Sequence, residues 1–249
     1  MKNLYLAILS PCYGGMVCVD YMMRLMKTIE LLRDMEIDYT FSFVKNDSLV
    51  QRARNNLLSS IYDYDSNITH FLFIDTDIVW NPEDVLKLLY SKKDLIGGIY
   101  PLKKYYFENV KDLTTEEMQD KDLIETKLIK YNFNFADTFE VNNDIIKIRH
   151  LPTGFMMISR NCVKKMRESY PNTKYIDRTV SDNKISYALF DCFIKDNMFM
   201  SEDWGFCERW QDIGGEVFAD KSIKLEHIGP NNYKGDFSSF LNIKEKSKK

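Results

Sequence analysis

Short apolar runs alternate with longer amphipathic segments over the first hundred residues of the chain. The apolar runs predict strands at residues 4–9, 39–44, 70–74 and 94–100. The segments between them predict helices at residues 19–35, 48–62 and 82–90. Alternation of this kind indicates an α/β fold with a parallel, doubly wound sheet, and such sheets bind ligands at the carboxyl ends of their strands.

Local signals add detail to these three helices. The first has one apolar stripe, expected to face the core, that consists of Met22, Leu25, Met26, Ile29 and Leu32. The second carries a polar face that consists of Gln51, Arg52, Asn55 and Asn56. The third has a cap at Asn81 and a proline at its first helical position, Pro82, followed by acids that suit the positive end of a helix.

The pattern becomes less regular after residue 105. Residues 105–150 contain one charged helix candidate, at 114–122, and are predicted to elaborate the edge of the sheet. Further elements are predicted as strands within 145–158 and at 223–225 and as helices at 161–169 and 201–213. Because no linker rich in proline, glycine or serine divides the chain, we predict one domain over 1–242 and a charged, disordered tail over 243–249.

Composition and charge narrow the classes of function. The 34 basic and 37 acidic side chains give a net charge of −3, and without an arginine-rich stripe this balance argues against a nucleic-acid partner. The apolar run at 4–9 is too short for a signal peptide or a transmembrane segment, so we expect a cytoplasmic protein. Five cysteines form no CxxC pair, which argues against a disulfide framework and a zinc cluster.

Asp75 and Asp77 directly follow the predicted strand at 70–74. Where a strand ends, both carboxylates can point beyond the sheet, and a divalent cation would relieve the repulsion between them. Oxygen ligands suit Mg²⁺ or Mn²⁺, which commonly share their coordination with substrate phosphates. The alternative is that the two acids only begin a turn and cap the next helix.

Two further groups of polar residues lie near predicted element ends later in the chain. Glu202 and Asp203 begin the predicted helix at 201–213, where they either cap the helix or take a proton from an attacking hydroxyl. His227 leaves a predicted strand, and it is either a hydrogen-bonded structural residue or a ligand that completes a cation site with Asp77.

The loop after the first strand and the second helix could contact a nucleotide. Pro11 and Tyr13 stand next to Gly14-Gly15, which permits close backbone approach, and Tyr13 could stack on a base. The segment lacks both the GxGxxG fingerprint and the Walker loop. Arg52, Arg54 and Asn55 offer guanidinium forks and an amide to a phosphate or a base, unless they form an ordinary solvated helix face.

Taken in order, these motifs resemble those of glycosyltransferases of the GT-A fold, in a small single-domain form similar to family 2. The resemblance extends from residue 1 to about residue 229. It rests on Ser10-Pro11-Cys12-Tyr13, Arg52-Ala53-Arg54-Asn55, Phe73-Ile74-Asp75-Thr76-Asp77, Gly97-Gly98-Ile99-Tyr100, Pro152-Thr153-Gly154-Phe155, Ser201-Glu202-Asp203 and Glu226-His227. It implies a mostly parallel, Rossmann-like central sheet flanked by helices.

The resemblance also implies roles for individual residues. A nucleotide-sugar donor, most commonly UDP-linked, would be bound by Pro11, Tyr13, Arg52, Asn55, Asp75, Thr76 and the Gly154 turn. Asp77 would ligate Mn²⁺ or Mg²⁺ directly, Asp75 would contact the ribose or the metal through water, and His227 would complete the site. Asp203, or alternatively Glu202, would activate a hydroxyl of a glycan or other acceptor, with inversion at the sugar carbon.

Two other interpretations use the same residues. Asp75 and Asp77 fit the DxDx[TV] motif of haloacid-dehalogenase-like phosphatases, although that motif normally follows the first strand and no later Gly-Asp-x-x-x-Asp segment is present. A non-catalytic module that binds nucleotide sugars would show the same motifs. Sugar nucleotidyltransferases are disfavoured, because residues 10–15 contain no Arg or Lys.

Overall fold

The alternating strands and helices build a mixed α/β fold, which we describe from a computed structural model for residues 4–136, 141–178 and 184–246. The strands are β1 (Tyr5–Cys12), β2 (Asp38–Lys45), β3 (His70–Ile74), β4 (Ile78–Val79), β5 (Leu95–Gly97), β6 (Asn134–Phe135), β7 (Val141–Asn142), β8 (Ile145–His150), β9 (Phe155–Ser159), β10 (Lys174–Asp177), β11 (Lys184–Tyr187), β12 (Phe193–Lys195), β13 (Met198–Met200), β14 (Val217–Asp220), β15 (Glu226–Ile228) and β16 (Asn232–Lys234). The helices are α1 (Val19–Asp34), α2 (Val50–Tyr64), α3 (Pro82–Tyr90), α4 (Lys121–Leu128), α5 (Arg160–Ser169), α6 (Glu202–Asp212) and α7 (Phe237–Lys246).

The central sheet has the strand order β2-β1-β3-β9-β5-β14-β8-β6, with β7 also paired to β8. Strands β2, β1, β3, β5 and β14 run in one direction, whereas β9 is inserted between β3 and β5 in the opposite direction. The predicted fold class, an α/β protein with a mostly parallel central sheet flanked by helices, is confirmed. The segment 105–150 supplies β6, β7 and β8 at the end of the sheet farthest from β2.

Helices cover both faces of the sheet, which explains the unbroken apolar run of β1. Leu6 and Ile8 pack on one face with α1 and α3, and Ala7 and Leu9 pack on the other face with α2, α5 and α6. Because successive side chains of a strand point to opposite faces, a strand between two helical layers needs apolar residues at every position.

A small second sheet joins distant parts of the chain. It has the order β16-β15-β4, and β4 begins directly after Asp77. In its register His227 lies opposite Ile78, and the backbone N–H of Ile228 donates to the carbonyl oxygen of Asp77 at 2.8 Å. This pairing brings His227 close to Asp77.

Helix α1 is rotated relative to the sequence prediction. Met22 and Met26, expected in the core, are exposed, whereas Tyr21 and Thr28 are fully buried together with Leu25 and Leu32. The two polar side chains are accommodated because they have buried partners: the Tyr21 hydroxyl bonds to the Ser10 hydroxyl at 2.5 Å, and Trp80 Nε1 donates to Thr28 Oγ1 at 3.0 Å.

Other differences concern the second half of the chain. The helix expected at 114–122 is replaced by a 3-10 turn at Glu117–Gln119 and by α4, which Asp120 caps by accepting from the N–H groups of Asp122 and Leu123. Residues 223–225 are not a strand; β14 and β15 lie on either side of them. The final helix α7 continues to Lys246 inside the expected tail, of which 247–249 lie outside the described residues.

None of the helices in the described ranges has an apolar stretch long enough to cross a membrane.

Candidate functional site

The carboxyl ends of β1, β3 and β5 and the start of β9 meet at one edge of the central sheet. Asp75 follows β3, and its backbone N–H donates to the carbonyl oxygen of Gly154, next to β9, at 3.0 Å. A cavity of about 320 Å³ opens here, and its polar and loop residues include Pro11, Tyr13, Asp47, Asp75, Thr76 and Asp77. Five of the residues predicted from the sequence therefore line one cavity: Pro11, Tyr13, Asp75, Thr76 and Asp77.

Arg54 lies between two acids, one of which, Asp75, lines this cavity. Its Nη2 donates to both carboxylate oxygens of Asp75 at 3.1 Å, and its Nη1 donates to Glu202 Oε1 at 2.8 Å. The arginine is buried, and its Nε has no hydrogen-bond partner among the described residues. Burial raises the pKa of Glu202 above its ordinary value, although the charge of Arg54 opposes that change. The three charges form a link from β3 through α2 to α6.

Asp77 is bracketed by two basic side chains. Its Oδ2 accepts from Lys103 Nζ at 2.5 Å, and its Oδ1 lies 3.6 Å from His227 Nε2. Burial raises the pKa of Asp77, but His227, in its protonated form, and Lys103 outweigh burial and lower this pKa to about 2. Asp77 is therefore a carboxylate at neutral pH.

The tautomer of His227 follows from its other contact. His227 Nδ1 lies 2.8 Å from the carbonyl oxygen of Pro101, and a carbonyl oxygen can only accept, so Nδ1 carries the proton. In the neutral imidazole, Nε2 then presents a lone pair towards Asp77. Two electron-rich atoms that face each other suit a cation between them.

Asp77 and His227 offer a divalent cation one oxygen and one nitrogen donor. Within the described residues no group of three His, Cys, Asp or Glu side chains could hold a metal ion. These two residues can hold Mg²⁺ or Mn²⁺ only if waters and phosphate oxygens supply the remaining ligands, as is common for these ions. The Lys103 ammonium would have to leave Asp77 for the metal to bind there.

The two acids at the start of α6 are held differently. Glu202 pairs with Arg54, whereas Asp203 Oδ1 accepts from the hydroxyl of Ser201 and, at 2.9 Å, from the backbone N–H of Trp204. Asp203 is buried, and the two donors fix the orientation of its carboxylate. The capping alternative is thus partly realised, because Asp203 bonds within its own helical turn.

Gly154 permits a close approach by Tyr100. A Cβ atom at position 154 would lie 2.7 Å from the Tyr100 ring, and the backbone N–H of Gly154 donates to the Tyr100 hydroxyl oxygen at 3.3 Å. The same ring packs edge-on against His227, with 5.0 Å between centroids. Burial raises the pKa of Tyr100, so its phenol stays protonated at neutral pH. Tyr100 therefore connects the turn at Gly154 to the imidazole.

Two predicted nucleotide contacts lie elsewhere. Asn55 is buried, and its amide donates to the carbonyl oxygen of Phe190 at 2.7 Å and accepts from the Phe190 N–H at 2.9 Å, so it has a structural role in place of the predicted contact. Arg52 does not line the cavity; its Nη2 pairs with Asp47 Oδ1 at 2.8 Å. Asn56 is also buried, so the polar face expected on α2 is partly internal.

Sequence reasoning missed two residues of the site, Pro101 and Lys103. It named Arg54, in the Arg-Ala-Arg-Asn motif, as a possible contact for a phosphate or a base, but helix periodicity alone does not show which arginine points inward. Lys103 and the Pro101 carbonyl follow β5 in an irregular loop, where no periodic pattern marks them. Three larger cavities, of about 830, 560 and 530 Å³, lie away from these acids.

No protein-family model and no curated protein matches this chain. Among solved structures it is similar to A197 from STIV, with 16% identity, coverage of 91% of this chain and 86% of that chain, and a TM-score of 0.48. A glycosyltransferase involved in the glycosylation of the major capsid of PBCV-1 has 10% identity, 67% coverage of each chain and a TM-score of 0.31. The 4-diphosphocytidyl-2C-methyl-D-erythritol synthase of Anaerococcus prevotii DSM 20548 has 11% identity, 100% coverage of each chain and a TM-score of 0.42. All three TM-scores are below 0.5, so these likenesses carry no argument about function.

Proposed function

We propose that this protein is a metal-dependent glycosyltransferase of the GT-A type that uses a nucleotide-sugar donor. The observation that carries the proposal is that Asp75 and Asp77 both line a cavity at the carboxyl edge of the sheet, where Asp75 pairs with Arg54 and Asp77 faces His227. This edge is where α/β sheets bind ligands, and the donor set suits a cation that shares a diphosphate.

In this proposal the residues around the cavity position the donor. Tyr13, exposed at the mouth, stacks on the nucleoside base, and Pro11 shapes the wall beside it. Asp75, held by Arg54, accepts hydrogen bonds from the ribose. Asp77 and His227 hold Mn²⁺ or Mg²⁺, which supplies positive charge next to the leaving diphosphate.

Asp203 is the proposed base. One of its oxygens is anchored by Ser201 and Trp204, so the proton of the acceptor hydroxyl would pass to the other oxygen, Oδ2. Glu202 is the weaker candidate because its carboxylate already pairs with Arg54. Attack by the hydroxyl oxygen on the anomeric carbon, opposite the leaving diphosphate, would invert that carbon.

The phosphatase interpretation fits this geometry less well. It requires Asp75 as a free nucleophile, but both oxygens of Asp75 accept from Arg54. A carboxylate in this state is oriented and electrostatically neutralised, which lowers its nucleophilicity. The arrangement favours a role for Asp75 in binding.

The test is Asp77→Asn, assayed by release of nucleoside diphosphate from a panel of nucleotide sugars with and without Mn²⁺. We expect the Mn²⁺-dependent rate to fall by about a hundredfold or more, because an amide binds the cation far more weakly than a carboxylate. The control is Asp38→Asn, an exposed residue of β2 at the opposite edge of the sheet. A near-native rate in Asp77→Asn would overturn the proposal.

The same assay, with an acceptor present, distinguishes which acid of α6, Glu202 or Asp203, is the base. Asp203→Asn should abolish transfer while nucleotide binding persists. If Asp203→Asn transfers normally and Glu202→Gln does not, Glu202 is the base.

A further inference from the structure

The side chain of Lys103 takes the position that a metal ion would need at Asp77. Its ammonium lies 2.5 Å from Asp77 Oδ2, while Oδ1 faces His227 Nε2 at 3.6 Å. The lysine therefore occupies Oδ2, and Oδ1 faces the nitrogen that would be the second metal ligand. A divalent cation in direct contact with Asp77 would lie within a few ångströms of this positive charge.

The position of Lys103 is built into the fold. A Cβ atom on Gly229 would lie 2.9 Å from Lys103 Cδ, so the absence of a side chain at position 229 gives the lysine stem its place. The backbone N–H of Leu102 donates to the Lys130 carbonyl oxygen at 2.8 Å and fixes the neighbouring residue. Pro101, two residues before the lysine, bonds to His227. Loop 101–103 thus contacts both candidate metal ligands.

We propose that Lys103 competes with the divalent cation for Asp77, so that the metal binds weakly alone and tightly only together with a diphosphate. The proposal rests on the proposed function and specifies how its metal site is loaded. Without a nucleotide, the metal must displace the ammonium and then bear its repulsion. A diphosphate brings negative charge that compensates both cations.

The chemistry of lysine suits this role. Its ammonium is a compact charge on a flexible stem, so it can leave one oxygen and donate to another without a backbone change. The pair is also about one-third exposed, which keeps the ammonium hydrated and the cost of separation small. A metal that entered with its diphosphate would therefore face little resistance.

The experiment measures Mn²⁺ binding by electron paramagnetic resonance, without and with UDP, in the full chain and in Lys103→Met. Without UDP we expect Lys103→Met to bind Mn²⁺ about tenfold more tightly, because the competing charge is gone. The increase in Mn²⁺ affinity on adding UDP should be smaller in Lys103→Met than in the unaltered protein. By linkage, Mn²⁺ should raise UDP affinity by a correspondingly smaller factor.

Two controls isolate the effect of position and charge. Lys104→Met removes the same charge from the next residue, which lies over the ring of Tyr106, and should leave Mn²⁺ affinity within about twofold. Lys103→Arg keeps a positive charge beside Asp77 and should retain weak binding. Equal melting temperatures of the variants show that the fold is intact.

Unchanged or weaker Mn²⁺ binding in Lys103→Met would overturn the competition. Failure of the competition proposal can be distinguished from failure of the glycosyltransferase proposal. If Lys103→Met tightens Mn²⁺ binding but no nucleotide sugar is cleaved, the competition stands and transfer is excluded. If sugar is transferred and Lys103→Met has no effect on Mn²⁺ affinity, the glycosyltransferase proposal stands and the competition is excluded. Absence of Mn²⁺ binding in every variant would remove both.

Discussion

Arg54 is the residue on which the geometry of the acids depends. A buried guanidinium must be paired, and here the two partners come from a strand end and from the start of a helix far along the chain. The planar fork can address two carboxylates at once, whereas a lysine would offer one point of charge. Arg54 therefore acts as a positioning residue for Asp75 and Glu202.

Replacement of Arg54 by Met should destabilise the protein by about 3 kcal/mol, because two partly buried carboxylates lose their counter-charge. Urea denaturation at neutral pH measures this loss. Arg52→Met is the matched control: its ion pair with Asp47 is more exposed, so its removal should cost about 1 kcal/mol or less. Similar losses in the two variants would show that burial of Arg54 has no energetic consequence.

The close contact between Gly154 and Tyr100 leads to a second prediction at the residue scale. Gly154→Ala places a methyl group against the Tyr100 ring, and overpacking of this kind costs about 1–3 kcal/mol. Gly14→Ala should be tolerated, because the nearest atom to its added methyl is the flexible end of Met16 at 3.5 Å. Thermal unfolding compares the two variants. Equal melting temperatures would mean that Tyr100 moves aside without cost.

At the residue scale the sequence identified the acids and the histidine but not what surrounds them. Asp75 and Asp77 were recognisable because polar residues after a buried strand must lie at a sheet edge. Asn55 was misassigned because a polar residue on a helix can serve the surface, a ligand or another backbone. Its bonds to Phe190 depend on tertiary contact, which no local pattern encodes.

At the scale of elements, Glu208 ties helix α6 to two strands. It accepts from Arg149 and His150 of β8 and from Lys195 of β12, each within 2.8 Å. Asn134 of β6 donates to the other nitrogen of His150 at 2.9 Å, so the imidazole is neutral with its proton on Nε2. Because α6 begins with Glu202 and Asp203, this cluster helps to fix the position of the proposed base.

The Glu208 cluster predicts a pH dependence of stability. Burial raises the pKa of Glu208, but hydrogen bonds from Arg149, Lys195 and His150 outweigh burial and lower the pKa from 4.5 to about 2. A lowered pKa in the folded state stabilises the fold above the unfolded value, and this contribution is lost as the pH falls towards the folded value. Glu208→Gln should therefore be less stable than the unaltered protein at neutral pH, and the difference should shrink between pH 4.5 and about 2.

Urea denaturation across that pH range measures the difference in unfolding free energy. Glu168→Gln, which alters an exposed carboxylate on α5, is the control and should give a small difference at every pH. A pH-independent loss in Glu208→Gln would assign its effect to packing alone.

Elements of the first hundred residues were predictable because each has its own periodicity. The side of α1 that faces the core was not predictable, because the buried hydroxyls of Tyr21 and Thr28 have partners, Ser10 and Trp80, that lie in other elements. The short strands β10 to β13 and β16 span three or four residues each, too few to establish a period. Strands of this length are defined by their partners.

For the whole molecule, the sequence predicted the layered α/β class but not the order of the central sheet. The parallel strands β1, β2 and β3 follow from alternation with helices. The reversed β9 and the place of β14 between β5 and β8 depend on long connections whose path leaves no local pattern. The candidate site shares this property, because its residues come from at least five separate segments.

The central position of β14 has a consequence for how the protein is made. This strand pairs on both sides, with β5 made long before it and with β8, so neither neighbour has its full set of backbone partners until residues 217–220 leave the ribosome. The nascent chain must carry open strand edges through most of its synthesis, and such edges invite association with other chains. The central sheet is therefore completed only when β14 has been made, late in synthesis.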